Sequence, residues 1–147
     1  MVLWAGGPPG REGHEMSAPR FTKTAAKRLH AAAHEAGMRA GNAARPVPMH
    51  VVQRANPFDD TSRVVRAYAP VMDGVCGFAY VSVRPGSSSF ARWLKANAGG
   101  FSRYYGGVQF SVHEFGQSLE RKAAYAAAYV EVVRAAGVEA FPESRMD

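Results

Sequence analysis

Cysteine is almost missing from this 147-residue chain. Cys76 stands alone, which excludes an internal disulfide and a cysteine-based zinc centre and fits a reducing cytoplasm. Long apolar runs are missing too. None approaches the roughly 18 residues of a membrane helix, so no membrane partner is expected. Carboxylates are scarce: 12 Asp and Glu stand against 18 Lys and Arg, leaving a net charge of +6. Signatures of catalysis are absent as well. Gly99-Gly100 and Gly106-Gly107 lack the lysine and the spacing of a phosphate-cradling loop, and no nucleophile elbow occurs. His113-Glu114 is the one pair resembling an acid and a base, but neighbours on a strand point to opposite faces. No catalytic residue, cofactor or metal is assigned.

What remains is a chain with 47% hydrophobic and 20% charged residues, ordinary globular proportions. Its length suits one domain with a real core. Residues 1–18, with two prolines and four glycines, read as a disordered tail or as an over-extended start before Met16. Residues 19–147 then form the single domain.

The spacing predicts a helix from Thr22 to about Gly41, with Ala25, Leu29, Ala32, Ala33 and Ala36 on one side, opposite Lys23, Lys27 and Arg28. Thr22 or Thr24 caps it, and Gly37 and Gly41 loosen its end. Those bases crowd the half where the helix dipole disfavours them, so local stability did not select them. Strands are expected at Met49–Arg54, Arg63–Val71, Val75–Val83, Val108–Val112 and Val138–Phe141. Met72-Asp73-Gly74 reads as the tight turn of a hairpin between the second and third. A short helix capped by Ser87 or Ser88 ends near Asn97, and a long one spans Gln117 to Ala136. Strand–helix–strand passages ordinarily give parallel neighbours. The expectation is therefore α+β: a mixed four- to five-stranded sheet with an antiparallel hairpin and about three packed helices.

Parity divides the strand 75–83. Val75, Gly77, Ala79, Val81 and Val83 face one way; Cys76, Phe78, Tyr80 and Ser82 face the other. The run Gly77-Phe78-Ala79-Tyr80-Val81-Ser82-Val83 resembles the longer signature strand of the RNA-recognition motif, whose exposed aromatics stack on bases. It departs from that pattern where Cys76 replaces a basic residue and Val83 an aromatic one. The competing expectation, and the favoured one, buries Phe78 and Tyr80 under another helix, as mixed sheets covered on both faces do.

Positive charge concentrates nearby: Arg63, Arg66, Arg84, Arg92, Lys95 and Arg103 face the single carboxylate Asp73 between residues 63 and 103. Arg84, Arg92, Lys95 and Arg103 are candidate phosphate contacts, with Tyr104, Tyr105, Phe78 and Tyr80 as stacking partners; a solvated basic face is the plainer alternative. His30 and His34, four apart on the first helix, point the same way but lack a third metal ligand in sequence. The helix at 117–136 is apolar round much of its circumference, which places it at the centre of the fold or under a partner subunit.

The segments AARPVPM (43–49), DGVCGFAYVSVRPG (73–86), YYGGVQFSVHEFGQSLERKAAYA (104–126) and SRMD (144–147) resemble a group of small uncharacterised proteins of tailed bacteriophages and prophages. That resemblance implies a phage or bacterial setting, in the host cytoplasm or the virion, and carries no activity with it. Two functions are expected. The first is a small basic nucleic-acid-associated protein that contacts DNA or RNA mainly through phosphates. The alternative is a structural or assembly protein that forms a homo-oligomer through its 117–136 helix.

Overall fold

Three serine or threonine side chains set where the helices begin. Thr22 Oγ1 accepts from the Ala25 amide at 3.0 Å and starts α1 (Lys23–Ala43). Ser88 Oγ accepts from Ala91 at 3.3 Å and starts α2 (Ser89–Asn97). Ser118 Oγ accepts from Arg121 at 3.4 Å and starts α3 (Leu119–Ala135). The structure, a computed structural model, describes residues 19–147; the proposed tail at 1–18 lies outside the described residues. The strands are β1 (Val52–Arg54), β2 (Val64–Ala67), β3 (Gly77–Arg84), β4 (Phe101–Ser102), β5 (Val108–Ser111) and β6 (Glu139–Met146).

The class is α+β, with three helices and a four-stranded main sheet in the order β4-β5-β3-β6. The segment β3-α2-β4-β5-α3-β6 is a β-α-β-β-α-β unit in which each strand–helix–strand passage is split by an inserted strand. This corrects the expected parallel neighbours. β3 and β4 run parallel, but β5 lies between them; β5 and β6 run parallel, but β3 lies between them. Every adjacent pair is consequently antiparallel.

The expected pairing of 63–71 with 75–83 also gives way. β2 turns back on β1 in a separate ribbon, Val52 opposite Ala67 and Gln53 opposite Arg66. The Asp73-Gly74 turn does form, with Gly74 at φ 78°. It is held against the start of α3, where Ser118 Oγ donates to the Asp73 carbonyl at 2.8 Å. Both edges of β3 are taken by β5 and β6, whose apolar residues complete a core that β2, exposed along its whole length, does not share.

All three helices lie on one side of the main sheet. Ala79, Val81, Val83, Val108, Phe110 and Ala140 pack beneath Phe90, Ala91 and Leu94 of α2 and Ala126, Tyr129, Val130 and Val133 of α3. α1 then covers the outer side of α3, which accounts for that helix's apolar circumference within the chain itself. The contact stripe on α1 is Ala26, Ala33, Gly37 and Gly41; of the alanines expected from spacing, Ala33 lies in it, Ala25 and Ala36 are half-buried and Ala32 is exposed. Gly37 does not loosen the helix. A Cβ there would sit 2.6 Å from the Tyr125 ring, so glycine lets the helices approach.

Candidate nucleic-acid interface

The uncovered face of the main sheet follows from parity and register. Residues directly opposite on antiparallel strands share a face. Phe78 lies opposite Arg145, Tyr80 opposite Glu143 and Ser111, Ser82 opposite Phe141 and Gln109, and Arg84 opposite Glu139. Phe101 of β4 lies opposite Gln109 and joins them. No helix packs on this side among the described residues. The favoured burial of Phe78 and Tyr80 under a second layer is thereby corrected: Phe78 is 36% exposed and Tyr80 half-buried. A single helical layer suffices because α1 settles on α3 and leaves the other face to solvent, as antiparallel sheets permit.

Aromatic rings and cations interleave on this surface. The Arg145 guanidinium carbon stands 5.3 Å from the Phe78 ring centre, and Nζ of Lys122, a buried residue of α3, approaches the same ring at 5.9 Å. Arg84 and Arg134 flank Phe141 at 5.5 and 5.4 Å. Each pair is within cation–π range. Between them lies a depression of about 470 Å³ lined by Tyr80, Phe101, Arg103, Gln109, Glu143 and Arg145. Its floor is tied by one carboxylate. Glu143 Oε2 accepts from Arg103 Nη1 at 3.0 Å and from Gln109 Nε2 at 2.5 Å, and Gln109 also donates to Ser82 Oγ at 3.2 Å. The network ties Ser82, Arg103, Gln109 and Glu143 together beside the half-buried Tyr80, while Arg145 is exposed.

Four of the residues singled out in the sequence therefore meet: Phe78, Tyr80, Arg84 and Arg103. Tyr104 and Tyr105 stand at the tip of the β4–β5 turn, 94% and 82% exposed, with their rings edge to face at 5.0 Å. Arg92 and Lys95 belong elsewhere. Arg92 is exposed on α2, and Lys95 Nζ donates to Ser102 Oγ at 2.9 Å on the helix-covered side of β4. Phe101, Phe141 and Arg145 escaped the sequence reading. For β6, a strand was expected only over Val138–Phe141, stopping short of Pro142. As an edge strand it tolerates the missing amide and runs on to Met146. The alternation Glu139, Phe141, Glu143, Arg145 was the available signal.

Other candidates separate. Glu114 is partly buried and His113 exposed. Among the described residues no three His, Cys, Asp or Glu side chains come together as a metal-binding group, and no helix is long and apolar enough to cross a membrane. Both Nδ1 atoms of His30 and His34 are engaged by tyrosine hydroxyls. Comparison with protein-family models, curated proteins and solved structures finds no match for this chain.

Proposed function

We propose that the chain binds single-stranded nucleic acid across the open face of its main sheet, in a phage or bacterial setting. The observation that carries this reading is the exposed alternation of rings and guanidiniums on one uncovered sheet. Phe78, Tyr80, Phe101 and Phe141 supply flat apolar surfaces at the level of Arg84, Arg103 and Arg145. Base stacking on an aromatic ring contributes about 1–3 kcal/mol and tolerates any sequence, and the arginines neutralise phosphates. A sheet about four strands wide takes a short unpaired stretch whose bases splay onto the rings; a duplex hides those base faces. Tyr104 and Tyr105, at the turn tip, extend the stacking surface beyond the sheet edge.

The test is fluorescence anisotropy of labelled single-stranded DNA and RNA oligonucleotides with the full chain at low salt. Saturable binding that weakens steeply with salt, and weakens further in Phe78→Ala/Tyr80→Ala with unchanged circular dichroism, is the expected outcome. Absence of binding at low salt, or binding indifferent to that double substitution, refutes the sheet-face reading. The assembly alternative loses its motivating feature, since Tyr125, Tyr129, Val130 and Val133 of α3 are buried inside the chain.

A further inference from the structure

On the helix side of the sheet, α1 carries a second polar arrangement. Lys23, Lys27, His30 and His34 recur at helical spacing and face the end of α2, where Trp93 and Asn97 stand. Together they line a groove of about 830 Å³. The sheet separates it from the open aromatic face.

The two imidazoles are held in place from behind. His30 Nδ1 lies 2.6 Å from the Tyr129 hydroxyl and His34 Nδ1 lies 2.5 Å from that of Tyr125. Both tyrosines are buried, Tyr129 completely, and burial pushes both phenols well above their ordinary range, so each keeps its proton. A buried phenol O–H needs an acceptor, and the histidine Nδ1 is the partner in reach. When each phenol donates to Nδ1, the neutral imidazole carries its own hydrogen on Nε2, on the ring edge turned away from the tyrosine. The rings lie 6.3 Å apart and nearly parallel, at 24°. Trp93 closes one wall, its ring 5.2 Å from that of His30. Asn97 spends its amide nitrogen on the Trp93 carbonyl at 3.0 Å, leaving its side-chain oxygen as an acceptor.

The lining thus offers two ammonium groups, imidazole N–H donors, an indole and one amide oxygen, with no carboxylate. Donors and positive charge select an anion, the indole selects a flat ring, and the volume is that of a small-molecule site. The position of Lys23 and Lys27 has the same sense. Cations in the first turns of a helix are disfavoured by the dipole, which a bound anion offsets. We propose that this groove binds a nucleoside phosphate. The phosphate lies between Lys23, Lys27 and the histidine Nε2–H groups, and the base lies against Trp93. The inference does not rest on the sheet-face reading.

Trp93 is the natural reporter, with Trp4 replaced by Phe to leave it the single indole. The full chain is titrated with adenosine monophosphate, adenosine and inorganic phosphate while indole fluorescence is followed. Adenosine monophosphate is expected to quench saturably, inorganic phosphate to compete, and adenosine to bind about tenfold or more weakly, the share of a charge-assisted contact. Lys27→Glu, at an exposed position, is expected to weaken the monophosphate at least about tenfold, while Phe78→Ala/Tyr80→Ala leaves it unchanged. The proposal is overturned by any of three results: no saturable quenching at millimolar monophosphate, adenosine binding as tightly as its phosphate, or loss of binding in the sheet-face variant and not in Lys27→Glu.

Discussion

Alternate residues of β3 meet opposite fates. Ala79, Val81 and Val83 are at most 1% exposed, sealed by two helices and backed by a third. Phe78, next to Ala79 but on the opposite face, remains 36% exposed, and Phe141 on the neighbouring strand 37%. The covered face is uniformly small and apolar, and burial of such side chains is what holds the domain together. The open face mixes larger rings with arginines and one carboxylate network, a composition that contributes little to folding and, on the proposed function, supplies the recognition surface. A second contrast sharpens the first. The β1–β2 ribbon exposes Val52, Val64 and Val65 without any cationic or aromatic order comparable to the main sheet, apart from Arg66 over Tyr68 at 4.7 Å. It is the ordered pairing of rings with charge, not exposure alone, that sets the main sheet's open face apart from this ribbon.

If the covered side carries stability, its disruption has the largest effect. Tyr129→Ala removes a fully buried ring and the partner of His30, and is expected to cost about 3–5 kcal/mol in urea unfolding. Val130→Glu buries an unpaired charge and is expected to unfold the chain, seen as lost circular dichroism; a folded chain that merely changes its oligomeric state by light scattering would restore the assembly reading. On the open face the balance reverses. Tyr80→Ala is expected to weaken single-strand binding by about 1–3 kcal/mol, with a far smaller effect on unfolding than Tyr129→Ala has. Equal losses of stability for the two tyrosines would erase the contrast. Arg84→Ala and Arg145→Ala should each lower the slope of log affinity against log salt by about 1, at any oligonucleotide sequence.

The smallest effect concerns pH. Burial, and secondarily the neighbouring His34, lower the pKa of His30 below its ordinary 6.5, with Glu114 acting in the opposite direction. Above pH 6.5 both folded and unfolded chains keep this imidazole neutral and stability is full. As pH falls below that value the unfolded chain takes the proton first, so stability declines until the folded pKa is passed. His30→Gln should flatten that part of the stability–pH curve, as measured by thermal unfolding across the mildly acidic range.

The helices were legible because their signals are local. Thr22, Ser88 and Ser118 cap within three residues, and the 3.6-residue period needs no distant partner. Strand β3 was legible for the same reason, down to which residues share a face. β6 was cut short at Phe141, since the tolerance of Pro142 depends on the strand lying at an edge. The pairing of β2 was misassigned, since a competent turn at Asp73-Gly74 does not reveal that α3 will hold it. Of the small-residue stripe of α1 only Ala33 was legible, and Ala26, Gly37 and Gly41 were not, because a helix of alanines and glycines has little hydrophobic contrast and the packing partner chooses its face.

Sequence by itself determined the three helices, the excess of positive charge, and the division of β3 into a small apolar side and an aromatic one. Tertiary structure decided the strand order, the burial of α3 beneath α1, and the exposure of Phe78 and Tyr80 beside Phe101, Phe141 and Arg145. The reason is one of range. Periodicity and capping act over a few residues, whereas which face of a sheet receives a second layer depends on where helices distant in the chain find their deepest contact.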